Sequence, residues 1–285
     1  MIIGSIENHR SREGGAMVYP VYSRRSKGLS LGINLFPDAK VCTFDCPYCE
    51  VFPFKTDISF SVGTMTETLR EVIAGAGPEE VRDICFSGNG EPTISPHLSA
   101  ALRAAAQIRD ELVPNAALVL ITNGTGLLNE QTFEFLRNAA AGPEPTGSLA
   151  LKLWLKLDAG TPDWYAQMDR SSIPFDRLIT AIKSFAACAP FTVQTMICAI
   201  NGEHPPAAEA AAWERLALEL AASGHLTGFQ IYGKARPSPG DLSEEPATAL
   251  PEAFLLARAD SLKAALNAAA IRGPDGTPLP VEVFP

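Results

Sequence analysis

The strongest constraint on the fold is an alternation, from residue 29 onward, of short apolar runs with longer amphipathic stretches. This pattern is typical of βα units around a parallel sheet, whose strands are buried on both faces. Six such units follow one another, and the predicted strands are residues 29–36, 83–87, 117–122, 151–158, 191–199 and 228–232. Six parallel strands with helices outside form either an open sheet or a partial (βα)6 TIM-type barrel, and both are α/β folds.

The amphipathic stretches predict helices at residues 64–74, 95–111, 129–141, 175–187, 207–223 and about 251–270. The sequence contains no internal repeat and no long linker, which favours a single domain. We expect an N-terminal extension at residues 1–28, a βα core at 29–235, and a C-terminal helix with a Pro- and Gly-rich tail at 236–285. Ligands of such folds bind at the carboxyl ends of the strands, so the loops there are the candidate site.

Composition limits the class of protein. Hydrophobic residues make up 46% of the 285 residues and charged residues 19%, which is ordinary globular composition. No apolar run approaches the roughly 18 residues of a membrane-spanning helix, and the N-terminus lacks the apolar stretch of a signal peptide. We therefore expect a cytoplasmic protein without a membrane partner.

Charge is distributed unevenly. The formal net charge is −9, which disfavours nucleic acid as a partner. Between residues 9 and 28, however, a single acidic residue accompanies five basic ones: Arg10, Arg12, Arg24, Arg25 and Lys27. This stretch is either a solvated basic arm or a patch for an anionic partner, and the sequence leaves both interpretations open.

Three cysteines carry the clearest chemical signal. Cys42, Cys46 and Cys49 form a C-x3-C-x2-C run, and thiolates at this spacing can converge on one iron–sulfur or zinc centre. A structural zinc site is normally completed by a fourth Cys or His, yet residues 50–82 contain neither. The spacing indicates an incomplete ligand set, with a redox-inert zinc loop as the alternative.

The remaining cysteines and histidines show no metal-binding pattern. Cys85, Cys188 and Cys198 lie far apart in sequence, and we expect each to be a buried small apolar residue. The four histidines form no pair at metal-ligand spacing and are expected in loops or helix caps. A second metal centre is not predicted.

Several segments together resemble the radical SAM superfamily. The cysteine run follows the first predicted strand, and Tyr48 directly precedes the third cysteine. A glycine segment, residues 88–91, follows the second predicted strand. More narrowly, GINLFP, CTFDCPYCE, FSGNGEPT, ITNGT, LKLDAG, MDRS, QIY and ARP are similar to the small Fe–S oxidoreductases related to wybutosine-synthesis (TYW1-like) enzymes. The resemblance covers most of the chain.

The resemblance implies a [4Fe–4S] cluster held by Cys42, Cys46 and Cys49, with one iron open to S-adenosylmethionine (SAM). Such an enzyme takes an electron from a flavodoxin- or ferredoxin-like donor and cleaves SAM to a 5′-deoxyadenosyl radical, which abstracts a substrate hydrogen. The substrate is expected to be a small metabolite or a peptide. The alternatives are a tRNA- or nucleoside-modifying enzyme and a metal-stabilised binding module without turnover.

The resemblance also assigns SAM contacts. The glycine segment is expected to accept from the methionine amino group, and Tyr48 to lie near the adenine. Glu91 either joins that contact or caps the following helix. The glycine segment consists of Gly88, Asn89, Gly90 and Glu91.

Other polar residues at strand ends are candidates with an ordinary structural alternative. Lys156 and Asp158 are two residues apart in an apolar strand and therefore face the same side, where they either bind SAM or form an internal salt bridge. Asn123 is either a SAM ligand or a turn residue. Further candidates are Gln194 and Met196 for SAM, with core packing as the alternative for Met196, and Arg236 for an anionic substrate group, with a surface arginine as the alternative.

Overall fold

The computed structural model describes residues 16–140, 149–244 and 246–285. Contacts divide the chain into two compact units. The first comprises the described residues up to Cys42, Val51–Thr122 and those of Asn138–Leu153. The second comprises Thr43–Glu50, Asn123–Arg137 and the described residues of Trp154–Pro285. Cys42 is the last residue of a segment of the first unit, and Cys46 and Cys49 belong to the second unit.

The first unit is built on four strands with two helices. Strand β1 is antiparallel to β2, whereas β2 is parallel to β3 and β3 is parallel to β4. The helices α1 and α2 contact each other. The elements are β1 (Val18–Ser23), β2 (Gly28–Ile33), α1 (Val62–Ala76), β3 (Val81–Phe86), α2 (Leu98–Leu112) and β4 (Ala117–Thr122).

Local sequence explains where α1 forms. The hydroxyl of Ser61 accepts a hydrogen bond from the backbone N–H of Thr64, at 3.4 Å, and so caps the first turn. The buried side chains recur at helical spacing and give the helix one apolar face. These side chains are Met65, Leu69, Val72 and Ile73. The helix ends at Gly77, whose φ of 92° is a conformation that glycine adopts without strain.

In the second unit, β5, β6, β7 and β9 are parallel neighbours in that order, and β8 pairs antiparallel with β6. Its part of β5 begins at Trp154, and its part of α3 ends at Arg137. The elements are α3 (Glu130–Ala140), β5 (Leu151–Lys156), α4 (Pro162–Met168), α5 (Phe175–Ala186), β6 (Phe191–Ile200), α6 (Ala207–Ala221), β7 (Leu226–Gly233), β8 (Ala247–Ala249), α7 (Glu252–Ala268) and β9 (Val281–Phe284).

The predicted α/β fold class, with the parallel strands of a partial (βα)6 TIM-type barrel, is confirmed. The six predicted strands correspond to β2–β7 and the six predicted helices to α1, α2, α3, α5, α6 and α7, with ends that differ by up to three residues within the described chain. The single-domain organisation stays a prediction. None of the helices that the structure describes is long and apolar enough to cross a membrane.

Four elements were not predicted. Strand β1 lies in the expected N-terminal extension and β9 in the expected Pro- and Gly-rich tail, while α4 and β8 lie where no helix or strand was predicted. Each is short, and β1 contains Pro20, which an edge strand tolerates because one row of its backbone N–H groups has no partner strand. Short edge strands carry little of the continuous apolar pattern by which buried strands are recognised.

Candidate functional site

The loop Thr43–Glu50 carries two of the three clustered cysteines. The backbone N–H of Cys49 donates to the carbonyl of Cys46, at 3.0 Å, which closes a tight turn between them. Both of these cysteines are half-buried, and Cys42 is exposed. Among the residues that the structure describes, no group of three or more His, Cys, Asp or Glu is arranged to hold a metal ion. The cluster ligand set therefore stays a prediction.

Hydrogen bonds fasten the start of this loop within the second unit. The hydroxyl of Thr43 lies 2.7 Å from that of Thr125, and the Asn123 amide donates to the Thr43 hydroxyl at 2.9 Å. The Ser171 hydroxyl donates to the Thr43 carbonyl at 2.9 Å, and the backbone N–H of Asp45 donates to the carbonyl of Asp169 at 2.9 Å. The cysteine-bearing loop is thus held at several points rather than free.

A buried charged network adjoins the loop. Lys156 Nζ lies 2.8 Å from Asp158 Oδ2 and 2.8 Å from the hydroxyl of Tyr232. The Tyr48 hydroxyl donates to Asp158 Oδ2, and the backbone N–H of Met196 donates to Asp158 Oδ1 at 2.7 Å. Lys156 Nζ also lies 4.8 Å from the centre of the Tyr48 ring, a cation–π contact. The prediction that Lys156 and Asp158 face the same side is confirmed, and the two form an internal salt bridge.

Burial and mutual charge set the protonation of this network. Burial disfavours the ammonium of Lys156, but Asp158 and Tyr232 outweigh it and hold the pKa of Lys156 well above its usual value. Burial, and then the charge of Asp158, raise the pKa of Asp169 well above its usual range. Burial, and then Asp169, likewise raise the pKa of the Cys46 thiol. These effects favour the charged form of Lys156 and the protonated form of Asp169.

Neighbouring strands continue the polar surface. Lys156, Gln194 and Gln230 are paired in register across β5, β6 and β7, so their side chains share one face. Gln194 Nε2 donates to Gln230 Oε1 at 2.7 Å, while Gln194 Oε1 is buried without a partner among the described residues. Met196, on the same face, is buried. The SAM roles predicted for Gln194 and Met196 stay predictions.

In the first unit, the glycine segment contacts the residue before Cys42. The backbone N–H of Val41 donates to the Asn89 carbonyl, and that of Glu91 donates to the Val41 carbonyl, both at 2.9 Å. A Cβ added to Gly90 would lie 1.8 Å from the Val41 carbonyl oxygen, so only glycine allows this approach. The close approach expected of these glycines is thus made to the chain's own backbone.

Glu91 caps the short 3-10 helix Pro92–Ile94, which was one of its two predicted roles. Its Oε1 accepts from the Thr93 backbone N–H at 3.0 Å and from the Thr93 and Thr122 hydroxyls at 2.5 and 2.6 Å. The residue is only 2% exposed, so these donors satisfy a carboxylate that would otherwise be costly to bury. A SAM contact of Glu91 remains untested.

Asn123 and Arg236 also have partners within the second unit. Asn123 Oδ1 accepts from the backbone N–H and the hydroxyl of Thr125, at 3.0 and 2.8 Å, which is the turn role expected of Asn before glycine. Arg236 Nη1 lies 3.0 Å from Glu50 Oε2, so the arginine is neither a plain surface residue nor shown to bind a substrate. Their ligand-binding roles stay predictions.

Sequence reasoning missed three members of the site and misplaced one cysteine. Asp169, Gln230 and Tyr232 join the network through tertiary contacts; only their presence in MDRS and QIY, two of the segments behind the resemblance, signalled them. Cys85 and Cys198 are buried as predicted. For Cys188 the prediction was wrong, because it follows the last turn of α5 and is exposed.

The chemistry of the donor set fits an iron–sulfur cluster. Cys46 and Cys49 are free thiols on one tight turn, and the charge of Lys156 partly offsets the rise in the pKa of Cys46 that burial and Asp169 cause. Cys42, the third candidate ligand, is exposed and directly precedes this loop in the sequence. Oxygen ligands suited to magnesium or calcium do not gather here among the described residues, since Asp158 and Asp169 are engaged with Lys156, Tyr48 and each other.

No family model matches the chain. A UPF0026 protein of Synechocystis is 32% identical over 189 residues, which is 64% of this chain and 64% of that protein. The chain thus spans less than two thirds of the length of this relative.

Three solved structures share the fold. The match to Streptococcus suis SuiB bound to precursor peptide SuiA covers 87% of this chain and 47% of the SuiB chain, with a TM-score of 0.59 and 12% identity. TYW1 with a lysine–pyruvate adduct bound covers 82% of this chain and 73% of its own, with a TM-score of 0.52 and 14% identity. The chain is similar in sequence to a UPF0026 protein, and it shares its fold with SuiB, with TYW1 and with a radical SAM methyltransferase from Sphaerobacter thermophilus, whose structure covers 93% of this chain with a TM-score of 0.56 and 16% identity.

Proposed function

We propose that this chain is a radical SAM enzyme whose Cys42, Cys46 and Cys49 hold a [4Fe–4S] cluster. When bound, the cluster would supply the electron that cleaves SAM to a 5′-deoxyadenosyl radical. The observation that carries the proposal is the buried Lys156–Asp158 network beside Cys46, in a chain with this fold. A redox-inert zinc loop would need neither a buried cation nor the polar strand face.

The residues of the second unit have definable tasks in this proposal. Lys156, fixed by Asp158 and Tyr232, places a positive charge near Cys46, and this charge would stabilise the thiolate that binds iron. Tyr48, buried and bonded to Asp158, fixes the turn between Cys46 and Cys49 and limits access of water. Gln194 offers one unpaired amide oxygen to a bound molecule.

The glycine segment has a task in the first unit. Its backbone brackets Val41, the residue before Cys42, and Glu91 stabilises the short helix that follows. These contacts orient the first cysteine from the backbone. The methionine amino group of SAM remains the proposed ligand of the carbonyl groups of residues 88–91.

For the substrate, we propose a small metabolite or a peptide. The structure of SuiB, a neighbour by fold, was solved with its precursor peptide bound, which supports the peptide class. SuiB was also solved with SAM bound, which supports SAM as the cosubstrate. An external flavodoxin- or ferredoxin-like electron donor is part of the same proposal.

A tRNA substrate is the second candidate, favoured by the basic turn between β1 and β2, which carries Arg24, Arg25 and Lys27. The lysine–pyruvate adduct in the TYW1 structure raises the question of whether a lysine of this chain could react likewise. For Lys156, Asp158 and Tyr232 raise the pKa against the effect of burial, which disfavours the neutral amine that such a reaction needs. Copurification of RNA with the chain would favour a tRNA substrate over a small metabolite or a peptide.

The test is anaerobic reconstitution of the chain with iron and sulfide, followed by dithionite reduction with SAM. We expect cluster absorbance near that of other [4Fe–4S] proteins and formation of 5′-deoxyadenosine. Cys46→Ala should abolish both, whereas Cys188→Ala, which removes an exposed thiol outside the loop, should change neither. Cluster absorbance without SAM binding would indicate a binding module instead, and zinc without iron would refute the proposal.

A further inference from the structure

The turn that follows β7, residues 238–241 (the β7 turn), contacts the cysteine loop at the Pro47 carbonyl group. It contains the start of the 3-10 helix Pro239–Leu242. The Ser238 hydroxyl donates a hydrogen bond of 2.8 Å to the carbonyl oxygen of Pro47. Ser238 is 0% exposed, so this bond is sheltered from water. Pro47 itself lies between Cys46 and Cys49.

Gly240 approaches the same carbonyl. A Cβ built on Gly240 would lie 2.0 Å from the Pro47 oxygen and 2.7 Å from its carbonyl carbon, distances that no real side chain occupies. The β7 turn therefore packs its backbone directly on the Pro47 peptide. Any larger residue at position 240 must displace either the turn or the cysteine loop.

The β7 turn is itself braced. Asp241 Oδ2 accepts from the backbone N–H of Ser238 and from Lys234 Nζ, both at 2.8 Å. Lys234 Nζ also donates to the Arg236 carbonyl at 2.9 Å, which ties the approach to the turn. Because these bonds fix the β7 turn, it can hold the cysteine loop in one position, whereas a mobile turn would move with the loop.

Two neighbouring carbonyls of the cysteine turn are thereby fixed. The Cys46 carbonyl accepts from the Cys49 N–H, and the Pro47 carbonyl accepts from Ser238. Rotation of the Cys46–Pro47–Tyr48 backbone would break one of these bonds. The ion pair between Arg236 and Glu50 holds the end of the loop in the same way.

We infer that Ser238 and Gly240 are positioning residues that hold Cys46 and Cys49 in the geometry that binds the cluster, acting through the Pro47 carbonyl. The inference rests on the proposed function for the identity of the bound group. It goes further by assigning the stability of that group to a turn about 190 residues away in sequence. The two residues touch neither thiol.

The first measurement uses the metal-free chain and follows hydrogen exchange of the amides in Thr43–Glu50. Ser238→Ala removes one sheltered hydrogen bond, so we expect exchange about fivefold faster there. Gly240→Ala should increase it more than about tenfold, because its Cβ overlaps the Pro47 carbonyl. Ser261→Ala is the matched control, since its hydroxyl bonds Glu214 on the helices instead.

The second measurement uses the reconstituted protein and follows loss of iron to a chelator, alongside the electron paramagnetic resonance spectrum of the reduced cluster. Iron should leave Ser238→Ala about fivefold faster than wild type, with a broadened spectrum, and leave Ser261→Ala at the wild-type rate. A defect of general stability would not alter the spectrum of the clusters that remain. Asp241→Asn, which loosens the brace without entering the core, replaces either variant that fails to fold.

The outcomes separate the inference from the proposed function. Wild-type exchange rates in folded Ser238→Ala and Gly240→Ala would overturn the inference, whether or not iron binds. Faster exchange with unchanged iron loss would overturn the positioning role. Failure of wild type to bind iron would overturn the proposed function, and with it the cluster part of the inference, while the exchange result would still show whether the turn holds the loop.

Discussion

Replacing Lys156 by methionine should expose the cost of the charged network beside the cysteine loop. The substitution keeps most of the side-chain volume but leaves the Asp158 carboxylate, whose side chain is 0% exposed, without its cation. Removing one partner of a buried ion pair typically costs about 3–5 kcal/mol. Because the Met196 N–H and the Tyr48 hydroxyl still donate to Asp158, we expect the lower end, about 3 kcal/mol.

A double-mutant cycle tests the cause. Asp158→Asn alone should also destabilise the fold, since it leaves the Lys156 ammonium buried beside neutral groups. The double variant Lys156→Met/Asp158→Asn should lose less than the sum of the single changes, by at least about 2 kcal/mol, because neither charge then stays unpaired. The Tyr232 hydroxyl loses its hydrogen bond with the Lys156 ammonium in both variants that carry Lys156→Met, the single and the double.

The assay is urea unfolding of the metal-free chain, under reducing conditions, with the free energy of unfolding extrapolated to water. Lys183→Met is the matched control, because its ion pair with Glu219 is about half exposed on both sides and should contribute under about 1 kcal/mol. Two results would contradict this reasoning. One is a loss in the free energy of unfolding for Lys156→Met no larger than that for Lys183→Met. The other is strict additivity of the losses for Lys156→Met and Asp158→Asn, which would mean that the two charges do not stabilise each other.

Two further predictions concern the first unit. Gly90→Ala should destabilise the fold by about 2–4 kcal/mol, because its Cβ would overlap the Val41 carbonyl. Gly63→Ala is the control, since Gly63 lies in a helix with room for a methyl group and the change should be neutral or stabilising. Equal midpoints of urea unfolding for the two variants would contradict the prediction. Burial raises the pKa of Asp83, although hydrogen bonds from Ser26 and Ser30 oppose this shift. The favourable contribution of Asp83 to stability is therefore present below its unfolded pKa of about 3.9, and it is lost as the pH rises through the higher folded pKa. The free energy of unfolding of Asp83→Asn should therefore lack that loss between pH 4 and the folded pKa, and parallel pH profiles of variant and wild type would refute the assignment.

The sequence predicted the strands that are buried on both faces, because a continuous apolar run such as Ala117–Thr122 has few other uses. It did not predict β1 or β9, whose places at the edges of the sheet relieve them of that pattern. For the site, spacing by two was enough to put Lys156 and Asp158 on one face. Their convergence with Asp169 and Tyr232 depends on loop paths, which local pattern does not encode.

Hydrogen bonds show the structural role among the alternatives that the sequence left open, while the SAM roles of these residues stay predictions. Glu91 caps a 3-10 helix, and Asn123 closes a turn while also reaching Thr43. Neither contact is visible in sequence, since each depends on which donors the fold brings within about 3 Å. The burial of Cys188 was mispredicted for a related reason, because a residue at the end of a helix faces inward or outward according to a path set by its neighbours.

The glycines at positions 90 and 240 change how a mutational screen for iron content would be interpreted. Each presses on a carbonyl next to a cysteine, Gly90 on that of Val41 before Cys42 and Gly240 on that of Pro47 after Cys46. If the cysteines hold the proposed cluster, substitutions at either glycine would lower the iron content as ligand substitutions do, although neither residue can donate to iron. A screen of this chain would therefore report a wider set of positions than the ligands themselves, and thiol-specific evidence would be needed to tell the two apart.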